Sequence, residues 1–210
     1  MIGYSMKKQV LYIHGGDSFG KYEDFLQDLQ TKPIRDPFGL ERKSIWVDNF
    51  RENLSGFEVL TPVMPNKQNA QYKEWKIWLE RHFEFLHDDV VLVGWSLGGM
   101  FLAKYLSEEK FPFKIKAVYL LAAPSGEFTD ESGNNCASFQ FSMQNLVNLT
   151  KQSEKTFIWH SEDDFVVPYK EFDVYKKIVP EAEFLSFTDK NHFLVPELPE
   201  LIDSIKNILK

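Results

Sequence analysis

Ser96 stands between two glycines in the sequence VLVGWSLGGM, where Gly94-Trp95-Ser96-Leu97-Gly98 matches Gly-x-Ser-x-Gly. An apolar run precedes the motif and an amphipathic run follows it, which is the strand–turn–helix context of a nucleophilic serine at a sharp turn. Glycines at 94 and 98 avoid the collisions that larger side chains would make there. The motif predicts a serine nucleophile for acyl transfer. The alternative interpretation is a glycine-rich turn that packs a helix closely on a strand.

A serine hydroxyl becomes an effective nucleophile when a neighbouring base takes its proton. His192 lies in FTDKNHFLVPE, between the last apolar run and the last amphipathic run, so we expect its loop to reach the serine. His160, which ends an earlier apolar run, is the alternative base. His82 and His87 fall in or just after an amphipathic stretch and are predicted to be solvated.

The base needs an acid that fixes its tautomer and stabilises the imidazolium. The candidates are Glu162, Asp163 and Asp164 in HSEDDFVVP, directly after an apolar run. Spacing alone does not choose among the three. The alternative interpretation of these acidic residues is a solvated loop or a cap for the helix that follows.

A second glycine pair follows the first apolar run in VLYIHGGDSFG. Gly15 and Gly16 would let backbone N–H groups approach a ligand closely, as the negative oxygen of a tetrahedral intermediate requires. The N–H of Leu97, just after the serine, would be the other donor. We expect His14 to hold this loop by hydrogen bonding. Alone, the sequence His-Gly-Gly would favour a simple strand-to-helix turn.

Short apolar runs alternate with longer amphipathic ones along the chain, which predicts an α/β fold with a mostly parallel, doubly wound sheet of about six strands. Predicted strands cover residues 9–13, 57–60, 90–93, 115–121, 156–159 and 182–187. Predicted helices cover residues 69–86, 96–107, 138–149, 168–178 and 196–209. Residues 31–56 and 122–137 fit neither pattern. We interpret the first as a surface loop with a short helix, with a functional lid as the alternative.

Composition excludes several classes of function. The chain has 210 residues, and we expect one domain over residues 1–210. A net charge of −7 argues against partners such as nucleic acid or an anionic membrane. The single cysteine, Cys136, allows no internal disulfide and no thiolate metal cluster, which favours a reducing compartment. Without an apolar leader or a membrane-spanning run, we expect a cytoplasmic protein.

These motifs together resemble the α/β-hydrolase superfamily, and in particular the small serine hydrolases of the retinoblastoma-binding-protein type and their bacterial relatives. VLYIHGG, VLTPVMPN, VLVGWSLGG, DDFVVP and NHF match that pattern in order, over roughly residues 8–30 and 57–208. The resemblance implies a minimal fold with little or no cap, Ser96 as nucleophile and His192 as base. It also implies Asp164 as the acid, through the spacing Asp-x-x-Val-Pro. Asn191 stands where glycine is more usual before the histidine.

The predicted function is therefore a serine hydrolase that cleaves carboxylic esters of a small-molecule acyl substrate through an acyl-enzyme, without a metal or other cofactor. The alternative is a protein-interaction or ligand-binding module on a hydrolase scaffold, with residues 31–56 and 122–137 as its surface. The sequence does not determine the oligomeric state. Five residues beside the motifs are candidates for an apolar acyl pocket, although each is also a candidate core residue: Phe19, Met64, Trp95, Phe165 and Phe193.

Overall fold

The computed structural model describes residues 7–34, 44–130 and 133–210. Its sheet has six strands, all parallel, in the order β2-β1-β3-β4-β5-β6. This confirms the predicted fold class. The strands are β1 (Gln9–Ile13), β2 (Glu58–Leu60), β3 (Val90–Trp95), β4 (Ile115–Leu121), β5 (Thr156–Ser161) and β6 (Glu183–Phe187). β3 and β5 run two residues beyond their predicted ends, because Trp95 pairs with Leu121 and Ser161 pairs with Phe187.

Helices connect the strands. They are α1 (Tyr22–Thr31), α2 (Phe50–Asn53), α3 (Tyr72–Arg81), α4 (Leu97–Glu108), α5 (Val147–Gln152), α6 (Lys170–Ile178) and α7 (Pro199–Ile208). A 3₁₀ turn, His82–Phe85, extends α3 over most of the remaining predicted length. α7 begins with a proline in its first turn, where the missing N–H is not needed, but that proline is Pro199 and not Pro196. Among the described residues, no helix is long and apolar enough to cross a membrane.

The predicted helix over residues 138–149 was wrong for most of its length. Two 3₁₀ turns, Ala137–Phe139 and Met143–Leu146, precede the short α5. Phe139, Phe141 and Met143 are buried while the residues between them are more exposed, which is a period of two. The apolar side chains of this segment therefore enter the core from a largely non-helical backbone.

The sheet is covered on both faces. Alternate residues of each strand point to opposite faces, so that Leu11 belongs to the cluster packed under α3 to α6, while Tyr12 belongs to the cluster packed under α2 and α7. This two-sided burial explains why the strands have nearly continuous apolar sequences.

The predicted excursion over residues 31–56 is only partly described, because residues 35–43 lie outside the described part of the chain. Within it, a 3₁₀ turn (Trp46–Asn49) leads into α2, which confirms the short helix. Trp46, Phe50 and Leu54 are buried, however, so this portion belongs to the core and not to a surface loop. Of the second excursion, residues 131 and 132 likewise lie outside the described residues.

The strand order places a crevice between β1 and β3. From β1 the chain moves outward to β2, whereas from β3 it moves to the other side through β4, β5 and β6. Loops at the carboxyl ends of two such strands diverge, and open α/β sheets bind ligands at this switch point. The Gly15–Gly16 loop follows β1 and Ser96 follows β3, so both lie at the switch point.

Candidate active site

Ser96 occupies a strained turn between β3 and α4. Its φ of 57° and ψ of −126° are uncommon for a residue with a side chain, and α4 begins at the next residue, Leu97. A Cβ at Gly94 would lie 2.6 Å from the carbonyl oxygen of Gly98, and a Cβ at Gly98 would lie 2.3 Å from that of Ile13. The prediction that only glycine fits on both sides of the serine is confirmed.

The loop after β1 runs beside the serine. A Cβ at Gly15 would lie 3.0 Å from Cβ and 3.5 Å from Oγ of Ser96. A Cβ at Gly16 would lie 2.5 Å from the carbonyl oxygen of Lys67. Leu97 is the first residue of α4, and the first N–H groups of a helix have no intrahelical acceptor. The loop after β1 and the first turn of α4 therefore both lie close to the serine side chain.

The ring of His14 holds this loop in place. Nε2 accepts the backbone N–H of Met64 at 2.9 Å, so Nδ1 carries the proton and donates to the carbonyl oxygen of Gly15 at 2.6 Å. Burial lowers the pKa of His14, and the charge of Lys67 lowers it further. Both ring nitrogens are occupied, so His14 fastens the loop to the segment after β2, as expected from the sequence.

His192 and Asp164 form a buried pair. Nδ1 of His192 lies 2.9 Å from Oδ2 and 3.1 Å from Oδ1 of Asp164. The Asp164 side chain is fully buried, and its Oδ1 accepts the backbone N–H groups of Val166 and Val167 at 2.8 and 2.9 Å. Because a carboxylate can only accept, Nδ1 carries the proton and Nε2 is left as an acceptor. Trp95 Nε1 donates to the carbonyl oxygen of His192 at 2.9 Å.

Asp163 contacts the histidine loop at a different point. Its Oδ1 accepts the backbone N–H of Asn191 at 2.9 Å and the hydroxyl of Ser161. Asn191 has a φ of 43°, a left-handed conformation that asparagine tolerates better than most residues. Of the three acidic candidates, Asp164 is the one that hydrogen-bonds the His192 ring, and Asp163 holds the backbone beside it.

His160 lies behind the acid. Its ring is buried, and Nε2 donates to the carbonyl oxygen of Val167 at 2.8 Å. The same Nε2 is 3.5 Å from Oδ2 of Asp164. Burial lowers the pKa of His160 despite the nearby carboxylate. His160 therefore supports the turn that carries Asp164.

Ser96 and His192 line one cavity of about 380 Å³, together with Gly15, Gly16 and Trp95. Among the described residues, no hydrogen bond joins Oγ of Ser96 to the His192 ring. Catalytic hydrogen bonds are often long before a substrate binds and shorten in the complex. Among the same residues, no group of three or more His, Cys, Asp or Glu could hold a metal ion.

The five residues predicted as candidates for an acyl pocket lie in different places in the structure. Trp95 lines the cavity. Phe193 is fully buried and Met64 nearly so, and both belong to the apolar core. Phe165 is 69% exposed and lies outside the cavity lining, and so does Phe19. The structure thus corrects four of these five positions, because adjacency to a motif does not determine the direction of a side chain.

Five residues that sequence reasoning missed also line the cavity: Lys67, Gln68, Val166, Leu194 and Asp17, which directly follows the Gly15–Gly16 pair. The signal for the first two was the segment VLTPVMPNKQ after β2, because parallel neighbouring strands end at the same edge of a sheet. Val166 and Leu194 lie in the acid and histidine loops, which the sequence had already assigned to this edge.

The fold and the site define a class of protein. A parallel sheet with a strained serine between β3 and α4, and with an acid and a histidine on loops after later strands, is the arrangement of the α/β-hydrolase fold. A family model described as alpha/beta hydrolase fold matches residues 78–153.

Known proteins resemble this chain over most of its length. Serine hydrolase RBBP9 of Rattus norvegicus is 29% identical over 168 residues, which cover 78% of this chain and 84% of that protein. The chain therefore resembles the serine hydrolases of the retinoblastoma-binding-protein type and their bacterial relatives, as its motifs predicted.

Solved structures carry the same fold. The ydeN gene product from B. subtilis has a TM-score of 0.71 at 19% identity, with 96% of this chain and 98% of that chain covered. Est1E from Butyrivibrio proteoclasticus has a TM-score of 0.61 at 14% identity, with 97% and 87% covered. At these identities, the two structures show that the chain shares their fold.

Proposed function

We propose that the protein is a serine hydrolase that cleaves carboxylic esters through an acyl-enzyme on Ser96. The observation that carries the proposal is the buried Asp164–His192 pair, whose histidine lines the same cavity as a serine in a strained turn. With Nδ1 bound to the carboxylate, Nε2 of His192 is the nitrogen that takes a proton from the serine.

The proposed reaction has two halves. Oγ of Ser96 attacks the ester carbonyl carbon while its proton passes to Nε2 of His192, and Asp164 stabilises the imidazolium. The N–H of Leu97 and one N–H of the Gly15–Gly16 loop bind the carbonyl oxygen as it becomes negative. The tetrahedral intermediate expels the alcohol, which takes the proton from His192. Water then gives a proton to the same nitrogen and attacks the acyl group. As the carboxylic acid leaves, His192 returns that proton to Oγ of Ser96.

A chemical argument favours an ester, and the volume of the cavity favours a short one. An alcohol leaves a tetrahedral intermediate more easily than an amine does. Cleavage of an ester therefore depends less on protonation of the leaving group by His192. The cavity of about 380 Å³ is at the lower end of the range for small-molecule sites, which suits a short acyl group.

Ser96→Ala tests the proposal. We expect the variant to lose hydrolysis of p-nitrophenyl butanoate and to lose covalent labelling by a fluorophosphonate probe. Ser55→Ala is the matched control. Ser55 is exposed and precedes β2, so it lies at the amino ends of the strands, away from the loops that carry the site. Full activity or labelling in Ser96→Ala would disprove the proposal.

A further inference from the structure

The turn formed by residues 65–69 is fixed against the loop that runs beside Ser96. The backbone N–H of Asp17 donates to the carbonyl oxygen of Lys67 at 2.8 Å, and that of Ala70 donates to the carbonyl oxygen of Asp17, also at 2.8 Å. Ser18 Oγ donates to the carbonyl oxygen of Ala70 at 2.8 Å. The backbone of Lys67 therefore has a set position relative to the oxyanion loop, and its side chain lines the cavity.

Lys67 brings a positive charge to the wall of the cavity. Across residues 7–34, 44–130 and 133–210, the ammonium of Lys67 has no ion-pair partner. The other charged residue of this wall, Asp17, is paired at 3.0 Å with Lys32, whose ammonium also lies 3.4 Å from Asp28. The charge of Lys67 also acts on the ring of His14 inside the cavity. Within the described residues, the Lys67 ammonium is thus an unpaired cation at the cavity of a chain whose net charge is −7.

The other wall of the cavity is apolar. Val166 is 46% exposed and Leu194 is 43% exposed, and both line the cavity. They follow β5 and β6, whereas Lys67 follows β2 and Ser96 follows β3, which lies between these strands in the sheet. A substrate carbon bonded to Ser96 would therefore have a cationic wall on one side and an apolar wall on the other.

We propose that Lys67 selects esters that carry a carboxylate or other anionic group, with the apolar part of the substrate against Val166 and Leu194. The inference rests on the proposed function and names the substrate class of that site. An ammonium is a point charge with three donors, so it recognises an anion without demanding one geometry. Because the site is open to water, we expect the charge to change selectivity by about two- to fivefold.

Two matched pairs of substrates test the proposal and distinguish the two ends of the ester. For the acyl end, the pair is the p-nitrophenyl monoester of adipate and p-nitrophenyl hexanoate. For the alcohol end, it is the butanoyl esters of p-hydroxybenzoate and p-hydroxybenzamide. The measured quantity is the ratio of kcat/KM for the anionic ester to kcat/KM for its neutral partner.

We expect Lys67→Met to lower this ratio about two- to fivefold in one pair, and Lys67→Glu to lower it further. Salt at about 0.5 M should weaken the preference of the unaltered protein, because it screens exposed charges. Lys110→Met is the control. Lys110 is exposed between α4 and β4, at the amino ends of the strands, so this variant should leave the ratio unchanged.

The outcomes separate this proposal from the one on which it rests. Ser96-dependent turnover with an unchanged ratio in Lys67→Met, in both pairs, overturns the role of Lys67 and leaves the hydrolase intact. A loss in Lys67→Met that is equal for the anionic and neutral esters also overturns it. Absence of Ser96-dependent turnover with all four esters overturns both proposals.

Discussion

Nδ1 of His192 and Oδ2 of Asp164 lie 2.9 Å apart although the two residues are 28 positions apart in the chain. The register of two neighbouring parallel strands explains the contact. β5 pairs with β6 from Phe157 opposite Glu183 to Ser161 opposite Phe187, so the loops that follow the two strands begin side by side. The first of these loops carries the acid and the second carries the histidine.

Asp164→Asn tests this pair. An amide would present an N–H to the ring and favour the wrong tautomer of His192, so we expect kcat to fall by about 10⁴-fold with little change in KM. Asp163→Asn is the comparison, because an amide oxygen can still accept the N–H of Asn191. We expect a fall of about tenfold or less there. The reverse order of effects would make Asp163 the acid.

Gly16→Ala tests the oxyanion loop. The new Cβ would lie 2.5 Å from the carbonyl oxygen of Lys67, so either the loop or the facing turn must move. Displacing one oxyanion donor costs about 10²- to 10³-fold in kcat, and we expect a fall of about 10²-fold. Circular dichroism and Tm distinguish this effect from a loss of folded protein.

Gly20→Ala is the matched control for that variant. A Cβ at Gly20 meets its nearest neighbour, Cβ of Ala137, at 4.0 Å, which is an ordinary contact. We expect its kcat to stay close to that of the unaltered protein. An equally small effect of Gly16→Ala would contradict a catalytic role for the geometry of this loop.

His160→Phe tests whether the hydrogen bond from His160 to Val167 holds the turn that carries Asp164. The variant loses the donor to the carbonyl oxygen of Val167, and leaving a buried acceptor unpaired costs about 1–3 kcal/mol. We expect a lower Tm and a kcat reduced by about tenfold, because the turn that holds Asp164 loosens. His160→Gln keeps an N–H donor and should recover most of kcat. Equal losses in both variants would argue against this hydrogen bond.

The strands and the turn that carries Ser96 could be predicted from sequence because each has a local signature. Strands buried on both faces are continuous apolar runs, and Ser96 requires glycines that are visible at fixed spacing. Parallel pairing then brings the following loops to one edge, so His192 could be placed near the serine before any coordinates. The choice of Asp164 over Asp163 needed the family resemblance or the structure, because adjacent residues differ only in direction.

Other features depend on packing that has no local signature. Phe193 stands next to His192, yet its side chain points into the core and has no exposed surface. The segment before α5 contains enough apolar residues for a helix, but alternate residues are buried in the core, which is a period of two. Lys67 was missed because a lysine after a short strand is usually a solvated residue, and only its contact with the Gly16 loop marks it.

The pH dependence of stability tests the buried state of His160. Burial holds its pKa below the value of about 6.5 expected in the unfolded chain. As pH falls below about 6.5, the unfolded chain therefore binds a proton before the folded protein does, and the free energy of unfolding decreases. We expect urea unfolding to show this decrease between about pH 7.5 and pH 5.5.

The His160→Gln variant isolates this contribution from that of the carboxylates, which also titrate in acid. With no imidazole at 160, its free energy of unfolding should fall less over the same pH range than that of the unaltered protein. The nearby Asp164 acts in the opposite direction by raising the pKa of His160, but burial is the larger effect. An identical fall in the two proteins would show that the His160 ring takes up its proton in the folded protein as readily as in the unfolded chain.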